Sequence, residues 1–428
     1  LELHYYVYED CDVITRSAKL INESGDVVKL NRLMSLQLDL EPSDYVFTTF
    51  HGAWAREMGR TDVRLVPGKY VNASYTGTSS SRDNPFVMLG KEHTTEDAGE
   101  CFGFNLIYSG NHYEAAEVGS FGKVRIVSGI NPQSFCFTLE SGESFEAPEA
   151  VMTYSDKGFN AMSRNMHDFV RKHIVRGQWQ YKERPVLLNS WEAAYFDISE
   201  RKLYELAKAG HDVGIELFVM DDGWFGNRDD DSSSLGDWYV NKKKLPNGLK
   251  GICDKINALG MSFGIWVEPE MLNVNSDLYR LHPDWAMDIP GCAHSEGRNQ
   301  RILDLCNPEV SEYIIDSMTK VFSSANIAYV KWDMNRIFSD YYSKYLKAQG
   351  RPQGETAHRY VMALGRIMRT LTERFPHILF EGCAAGGNRF DLGILCYFPQ
   401  IWASDNTDAV SRACLLYTSP SPRDKRQS

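Results

Sequence analysis

Short apolar runs that stop abruptly at polar or acidic clusters recur through the second half of the chain. Pro185-Val186-Leu187-Leu188 stops at Asn189-Ser190-Trp191-Glu192, and Ile215 to Met220 stops at Asp221-Asp222-Gly223-Trp224. Phe263 to Val267 stops at Glu268-Pro269-Glu270, Arg301-Ile302-Leu303 at Asp304, and Ile327 to Val330 at Lys331-Trp332-Asp333. Ile378-Leu379-Phe380 stops at Glu381-Gly382-Cys383, and Gln400 to Ala403 at Ser404-Asp405. Each run has the length and composition of a buried strand. Between them, Ser199 to Ala209, Leu249 to Leu259, Val310 to Phe322 and His358 to Phe375 carry apolar residues at three- and four-residue steps, the period of an amphipathic helix. Asn307 and Pro308 offer an N-cap and a first helical residue for the third of these. Strand and helix alternating at this spacing predict parallel βα units, a (β/α)8 TIM-type barrel over residues 184–413 with seven of its strands legible. A doubly wound sheet would instead bring a phosphate-cradling glycine fingerprint, and the glycine-rich string Gly382 to Gly387 lacks the spacing.

The texture upstream is different. Residues 1–150 alternate apolar and polar over short spans, as in Leu3 to Tyr8 and Lys123 to Val127, with frequent Gly, Asn, Asp and Ser breaks. This predicts an antiparallel β-sandwich. A helical linker over 151–183 follows, with Met162, Met166, Phe169, Val170 and Ile174 on one stripe. The fold class expected is therefore multidomain, an all-β unit followed by an α/β barrel.

Composition narrows the function classes. The 428 residues are 43% hydrophobic and hold no apolar run long enough for a membrane span, so no membrane partner is expected. A formal net charge of -11 argues against a nucleic-acid partner, which needs a basic face. Nine cysteines at scattered positions without a C-x-x-C pair indicate neither a disulfide framework nor a zinc site. No strand-like run ends in histidine, which disfavours a metal-dependent hydrolase; neither metal nor cofactor is expected. No signal-peptide pattern opens the chain, so a cytoplasmic location is expected, although Leu1 is not an initiator residue and the natural start is expected upstream.

The carboxylates are the candidate chemistry. An isolated aspartate after a strand more often caps the next helix. Repetition over seven runs weakens that reading, and Asp333 and Asp405 look like the paired carboxylates of a retaining glycosidase, one ionised to attack and one protonated to release the leaving oxygen. Lys331 shares a side of its strand with Asp333 by the two-residue period and could keep it ionised. Asp221 and Asp222 would repel unless something bonds them. Position alone does not rank Asp333 and Asp405 above Glu268, Glu270, Asp304, Glu381 and Asp408, which also sit near strand ends.

Five ordered strings carry a family resemblance: Arg184-Pro185 with Asn189 to Ala193, Asp221 to Phe225, Trp266 to Met271, Lys331 to Arg336, and Ser404 to Ala409. Over residues 1 to about 412 the chain resembles the glycoside hydrolase family 36 α-galactosidases. The resemblance implies a retaining α-galactosidase acting on melibiose- and raffinose-type oligosaccharides, with Asp333 as nucleophile and Asp405 as acid/base. It implies Asp221 and Asp222 accepting from the sugar 4- and 6-hydroxyls, Trp191 and Trp266 as apolar walls, Arg298 and Lys331 as donors, and Cys383 on the floor. The remaining strand-end carboxylates would orient these groups. In the sandwich, His51 to Trp54 and Ser80 to Pro85 resemble strings that complete the site in the family, and a homo-oligomer, a tetramer in the family, is implied for the parent protein. A raffinose-synthase-like transferase would use the same two aspartates, and a sugar-binding fragment without turnover is the alternative from another class.

Two departures stand out. Ala385 occupies a position where relatives usually carry Ser or Gly. Residues 414–428 have no family counterpart and resemble a translated adapter scar, a non-native tail to be set aside from fold reasoning. The expectation is an internal fragment, with the start of the sandwich, the last βα unit of the barrel and a C-terminal β domain lying outside it.

Overall fold

The computed structural model describes residues 1–79 and 82–418, side chains of 414–418 excepted. Two compact units are present. The first comprises Leu1–Arg176, Leu346–Val361 and Gly387–Cys396; the second comprises Gly177–Tyr345, Met362–Gly386 and Tyr397 onward.

The first unit is built on antiparallel sheets, as the alternation predicted. The strands Glu2–Tyr8, Val13–Ile21, Ala150–Ser155, Cys101–Leu106, Val87–Lys91, Tyr45–His51 and Gly59–Arg64 lie side by side in that order in one sheet, with Ser144–Glu146 pairing Val13–Ile21. A second sheet runs Met34–Leu40, Val124–Ile130, His112–Val118, Gly68–Ala73. The helical linker expected over 151–183 is corrected: residues 151–155 belong to the strand Ala150–Ser155, and the stripe forms the helix Gly158–Phe169 and a π-helical turn, Val170–Ile174, inside the first unit, because its apolar face is buried in that unit's core. Its Phe159, Met162, Met166, Phe169 and Ile174 pack with Val13, Met88, Cys101 and Val151 in one core cluster.

The second unit holds a six-stranded sheet in the order Leu187–Asn189, Leu217–Met220, Ser262–Val267, Ile327–Trp332, Leu379–Gly382, Gln400–Ile401, every pairing parallel. One of the seven expected runs lies elsewhere: Gln300–Ile302 pairs antiparallel with Met271–Asn273 in a separate two-stranded ribbon. Apolar residues before an aspartate mark burial, and burial here comes from a hairpin-like pairing beyond the strand ends rather than from the parallel sheet. The helices fall where the period put them, at Glu200–Asp212, Gly248–Asn257, Pro308–Ser323 and Thr356–Arg374. Ser199 caps the first through the Lys202 N–H and Asn307 the third through the Glu309 N–H.

Register turns the two-residue strand period into layers inside the parallel sheet. Val219 lies opposite Gly264, Gly264 opposite Tyr329, and Tyr329 opposite Leu379. This is an apolar layer, and Leu187, Leu217, Val219, Tyr329 and Leu379 belong to one buried cluster. Two residues further along the same strands stand Asp221, Trp266, Lys331 and Glu381, with Lys331 opposite both Trp266 and Glu381. Two residues beyond those come Glu268, Asp333 and Cys383. The interior thus passes from apolar to polar at one depth, at the carboxyl ends of the strands.

Gly264 makes room for this stacking, since a Cβ there would stand 2.9 Å from Cβ and Cδ1 of Tyr329 and 3.0 Å from Cγ2 of Val219. All three atoms belong to a layer that cannot retreat without moving its neighbours. Gly264→Val is expected to lower the unfolding free energy by about 1–3 kcal/mol, read as a lower denaturant midpoint at unchanged slope.

Candidate active site

Asp333 follows directly on Ile327–Trp332 and is 6% exposed. Its backbone N–H donates to the Val267 carbonyl, which continues the parallel pairing past the strand end and fixes the side chain's direction. Trp266 Nε1 donates to Asp333 Oδ2 at 3.0 Å and Asn335 Nδ2 to the same oxygen at 2.8 Å, while the Met334 N–H reaches Oδ1 at 2.9 Å. Burial alone would raise this carboxyl; the Lys331 charge and hydrogen bonds from Cys383, Asn335 and Trp266 outweigh it and leave Asp333 below the usual aspartate range. A buried aspartate held ionised in this way is suited to nucleophilic attack.

Lys331 sits one strand period below. Its Nζ donates to Asp221 Oδ2 at 3.0 Å, and Asn189 Nδ2 reaches the same oxygen at 2.6 Å. Burial disfavours the Lys331 charge, but Asp221, Cys383, Asp333 and Glu381 together hold it well above its ordinary value, so it stays cationic. The adjacent aspartates are kept from repelling each other by separate cations. Asp222 accepts both Arg228 Nε, at 2.9 Å, and Arg228 Nη2, at 2.8 Å. Burial raises Asp222 even so, with Arg228 opposing. Arg228 is fully buried and also donates to Asn273 Oδ1 at 2.9 Å. The sequence reading did not single out Arg228; the signal available was the need of a second buried aspartate for its own cation nearby in the chain.

Cys383 ties the two halves of the site. Its backbone N–H donates to the Trp332 carbonyl, and burial followed by the Asp333 charge pushes its thiol well above the ordinary value, with Asp405 contributing in the same sense. Cys383 therefore lies within electrostatic reach of both Asp333 and Asp405. Asp405 is half-buried and accepts Trp402 Nε1 on Oδ1 at 2.8 Å. Trp191 is also half-buried, edge-on to Tyr195 and Phe196, on a short helix after the first parallel strand. Trp266, by contrast, is 2% exposed and acts through its indole N–H on Asp333. Arg298 is exposed, with a left-handed backbone, and its charge reaches Glu268.

The other carboxylates separate by partner. Glu270 accepts Trp332 Nε1, Glu381 accepts Gln400 Nε2, and Asp304 accepts the Ser343 hydroxyl. Asp408 is exposed and accepts the Ser411 N–H, the helix-capping arrangement. Ala385 has φ 47°, in the left-handed region where glycine is at ease, a backbone reason for small residues there. In the first unit, His51 Nδ1 and Asp83 Oδ1 are 2.7 Å apart; Ser80 and Ser81 of the second sandwich string lie outside the described residues. Metal-type donors cluster at Asp10, Cys11 and His173, but Lys172 pairs with Asp10 at 3.2 Å and burial pushes the Cys11 thiol up to about 11, so the trio reads as an ion pair beside a neutral thiol.

A Melibiase family profile matches residues 144–421, and a Glycosyl hydrolase family 36 N-terminal domain profile matches residues 1–140. The chain belongs to glycoside hydrolase family 36. The α-galactosidase AgaA of Geobacillus stearothermophilus is 49% identical over 415 residues, which cover 97% of this chain and 57% of AgaA. The α-galactosidase Mel36A of Lactobacillus acidophilus is 45% identical over 416 residues, with the same shares. The AgaA crystal structure superposes with a TM-score of 0.94 over 97% of this chain, which bears out antiparallel sheets followed by a parallel-strand barrel region. AgaA variants have been solved with raffinose and with 1-deoxygalactonojirimycin. This family 36 chain spans a little over half the length of these relatives.

Two outcomes follow from the buried charges. Arg228→Met leaves Asp222 buried without its cation and is expected to cost about 3–5 kcal/mol at neutral pH, with the deficit shrinking in acid as Asp222 takes up a proton; chemical denaturation at both pH values measures it. Burial and the Asp333 charge raise Glu268 from 4.5 to about 7, so its folded form holds the proton more tightly than its unfolded form. The stability this contributes is full below 4.5 and is lost as pH rises through about 7. Glu268→Gln is expected to flatten the stability profile over that window.

Proposed function

We propose that the chain carries the site of a retaining α-galactosidase. The observation that carries this reading is Asp333, buried, held ionised by Lys331, and fixed by Trp266 and Asn335 at the carboxyl end of a parallel strand. In the reaction, Asp333 attacks the anomeric carbon while Asp405 protonates the departing oxygen; a galactosyl ester on Asp333 results. Water then attacks the same carbon, Asp405 takes its proton, and the Asp333 carboxylate is restored. Asp333 follows Ile327–Trp332 and Asp405 follows Gln400–Ile401, the two strands that flank Leu379–Gly382 in the same parallel sheet, which supports their pairing.

Asp221 and Asp222 supply acceptors for the sugar hydroxyls: Asp221 Oδ2 is filled by Lys331 and Asn189, but Oδ1, which accepts the Asp222 N–H, and both Asp222 oxygens, each holding one Arg228 donor, keep a lone pair. Lys331 and Arg298 are the donors, Trp191 faces the apolar side of the ring, and Trp266 acts through its indole N–H on Asp333. Hydrolysis of raffinose- or melibiose-type oligosaccharides fits the AgaA complex with raffinose, and homo-oligomeric assembly and a cytoplasmic location are proposed with it. Among the described residues no helix is long and apolar enough to cross a membrane.

Hydrolysis of 4-nitrophenyl α-galactoside, with the α-glucoside as control, tests the reading. Asp333→Asn is expected to lower kcat by about 10³-fold or more, the order lost when a nucleophile is removed. The first-formed sugar, followed by proton NMR, is expected to be the α-anomer. A β-anomer first would replace the double displacement with direct water attack, and sugar binding without turnover that is indifferent to Asp333→Asn would replace the enzyme with a binder.

A further inference from the structure

One carboxyl at the heart of the site has no step in the double displacement. Glu268 has no solvent exposure; its Oε1 accepts the Asn335 backbone N–H at 2.5 Å and its Oε2 accepts Gln300 Nε2 at 2.8 Å. Asn335 in turn donates its side-chain amide to Asp333 Oδ2. We infer that Glu268 is a positioning residue for Asp333, pinning the Asn335 backbone so that the Asn335 amide holds the reacting carboxylate. The inference rests on the α-galactosidase reading and assigns Glu268 no contact with the sugar.

The need for such an anchor comes from the chain itself. Asn335 lies in residues 333–338, which follow the strand without regular secondary structure, so no ladder of backbone bonds fixes its amide. Glu268 stands just past the neighbouring strand Ser262–Val267, a regular element from which to fix an irregular one. The charged groups facing Glu268 are Asp333 from the fourth parallel strand, Arg298 from the segment before Gln300–Ile302, and Arg228 from the loop after the second strand. Asp333 disfavours its ionisation and the two arginines favour it, so the proton on Glu268 answers to the charge on Asp333. Gln300 Oε1 is buried without a hydrogen-bond partner among the described residues. Glu268→Gln would therefore keep an oxygen for the Asn335 N–H and, with the Gln300 amide turned, give that orphaned oxygen a donor.

The test compares Glu268→Ala, Glu268→Gln, Asn335→Ala and the double alanine variant on 4-nitrophenyl α-galactoside. Glu268→Ala is expected to lower kcat by at least about tenfold with KM changed by less than about threefold, because the lost interaction aligns the attack rather than the sugar. Glu268→Gln is expected to recover most of that loss while its pH profile loses an ionisation near 7. The double variant is expected to be no worse than the poorer single one, the sign of residues acting in series. Unchanged kcat in Glu268→Ala, or losses that multiply in the double variant, would overturn the inference. If Glu268→Ala fails to fold, the Gln variant decides, and a pH profile identical to the parent's overturns it. Asp333→Asn runs beside them, and turnover surviving there sinks the α-galactosidase reading instead. If the parent chain itself shows no turnover, calorimetry with 1-deoxygalactonojirimycin, an amine whose protonated form is attracted by an ionised carboxylate, takes over; equal affinity in all variants overturns the inference.

Discussion

Burying five carboxylates at the carboxyl ends of the parallel strands with few cations is the constraint on which the second unit depends. Asp221, Asp222, Glu268, Asp333 and Glu381 are all shielded from water, and removing an anion from water is costly unless charge or hydrogen bonds replace the lost hydration. Lys331 and Arg228 answer for Asp221 and Asp222 directly. Asp333 draws on the Lys331 charge and three neutral donors. Glu268 and Glu381 are left with mostly neutral partners, and burial raises both. The result is a division within one cluster, between carboxyls given a cation as direct partner and carboxyls left to neutral donors.

That division depends on the strand register. Lys331 can serve Asp221 and Asp333 together because the parallel pairing places Trp266, Lys331 and Glu381 at one depth and Asp333 one period higher. A one-residue slip in the fourth strand would turn Lys331 to the outer face and bring Trp332 inward. The apolar layer beneath, with Tyr329 against Gly264, holds this register by shape. Packing in the lower part of the sheet and chemistry at its upper edge are thus one problem, solved with the same strands.

Several parts of this were readable before any coordinates. An apolar run that ends in a carboxylate states where burial stops, and a helical period between such runs states how the next strand is reached; both are local properties of consecutive residues. Asn307 and Ser199 as caps, the helices themselves and the pairing of Lys331 with Asp333 by parity are of this kind. The ribbon of Met271–Asn273 with Gln300–Ile302 was not, because three apolar residues before an aspartate look the same in a parallel strand and in a short antiparallel one. Which partner a strand takes is a question about residues distant in sequence.

The sequence by itself determined the order of the elements and the depth at which each strand turns polar, since periodicity and composition are carried by neighbours in the chain; it offered several strand-end carboxylates, and the family resemblance ranked Asp333 and Asp405 among them. Only the tertiary structure decided which carboxylate owns which cation. Arg228 belongs to Asp222 and Lys331 to Asp221, Trp266 serves Asp333 through its N–H, and Glu268 and Asp333 share Asn335 as a hydrogen-bonding partner. Charge interactions inside a protein depend on separation and on the exclusion of water, and neither exists until the strands have paired.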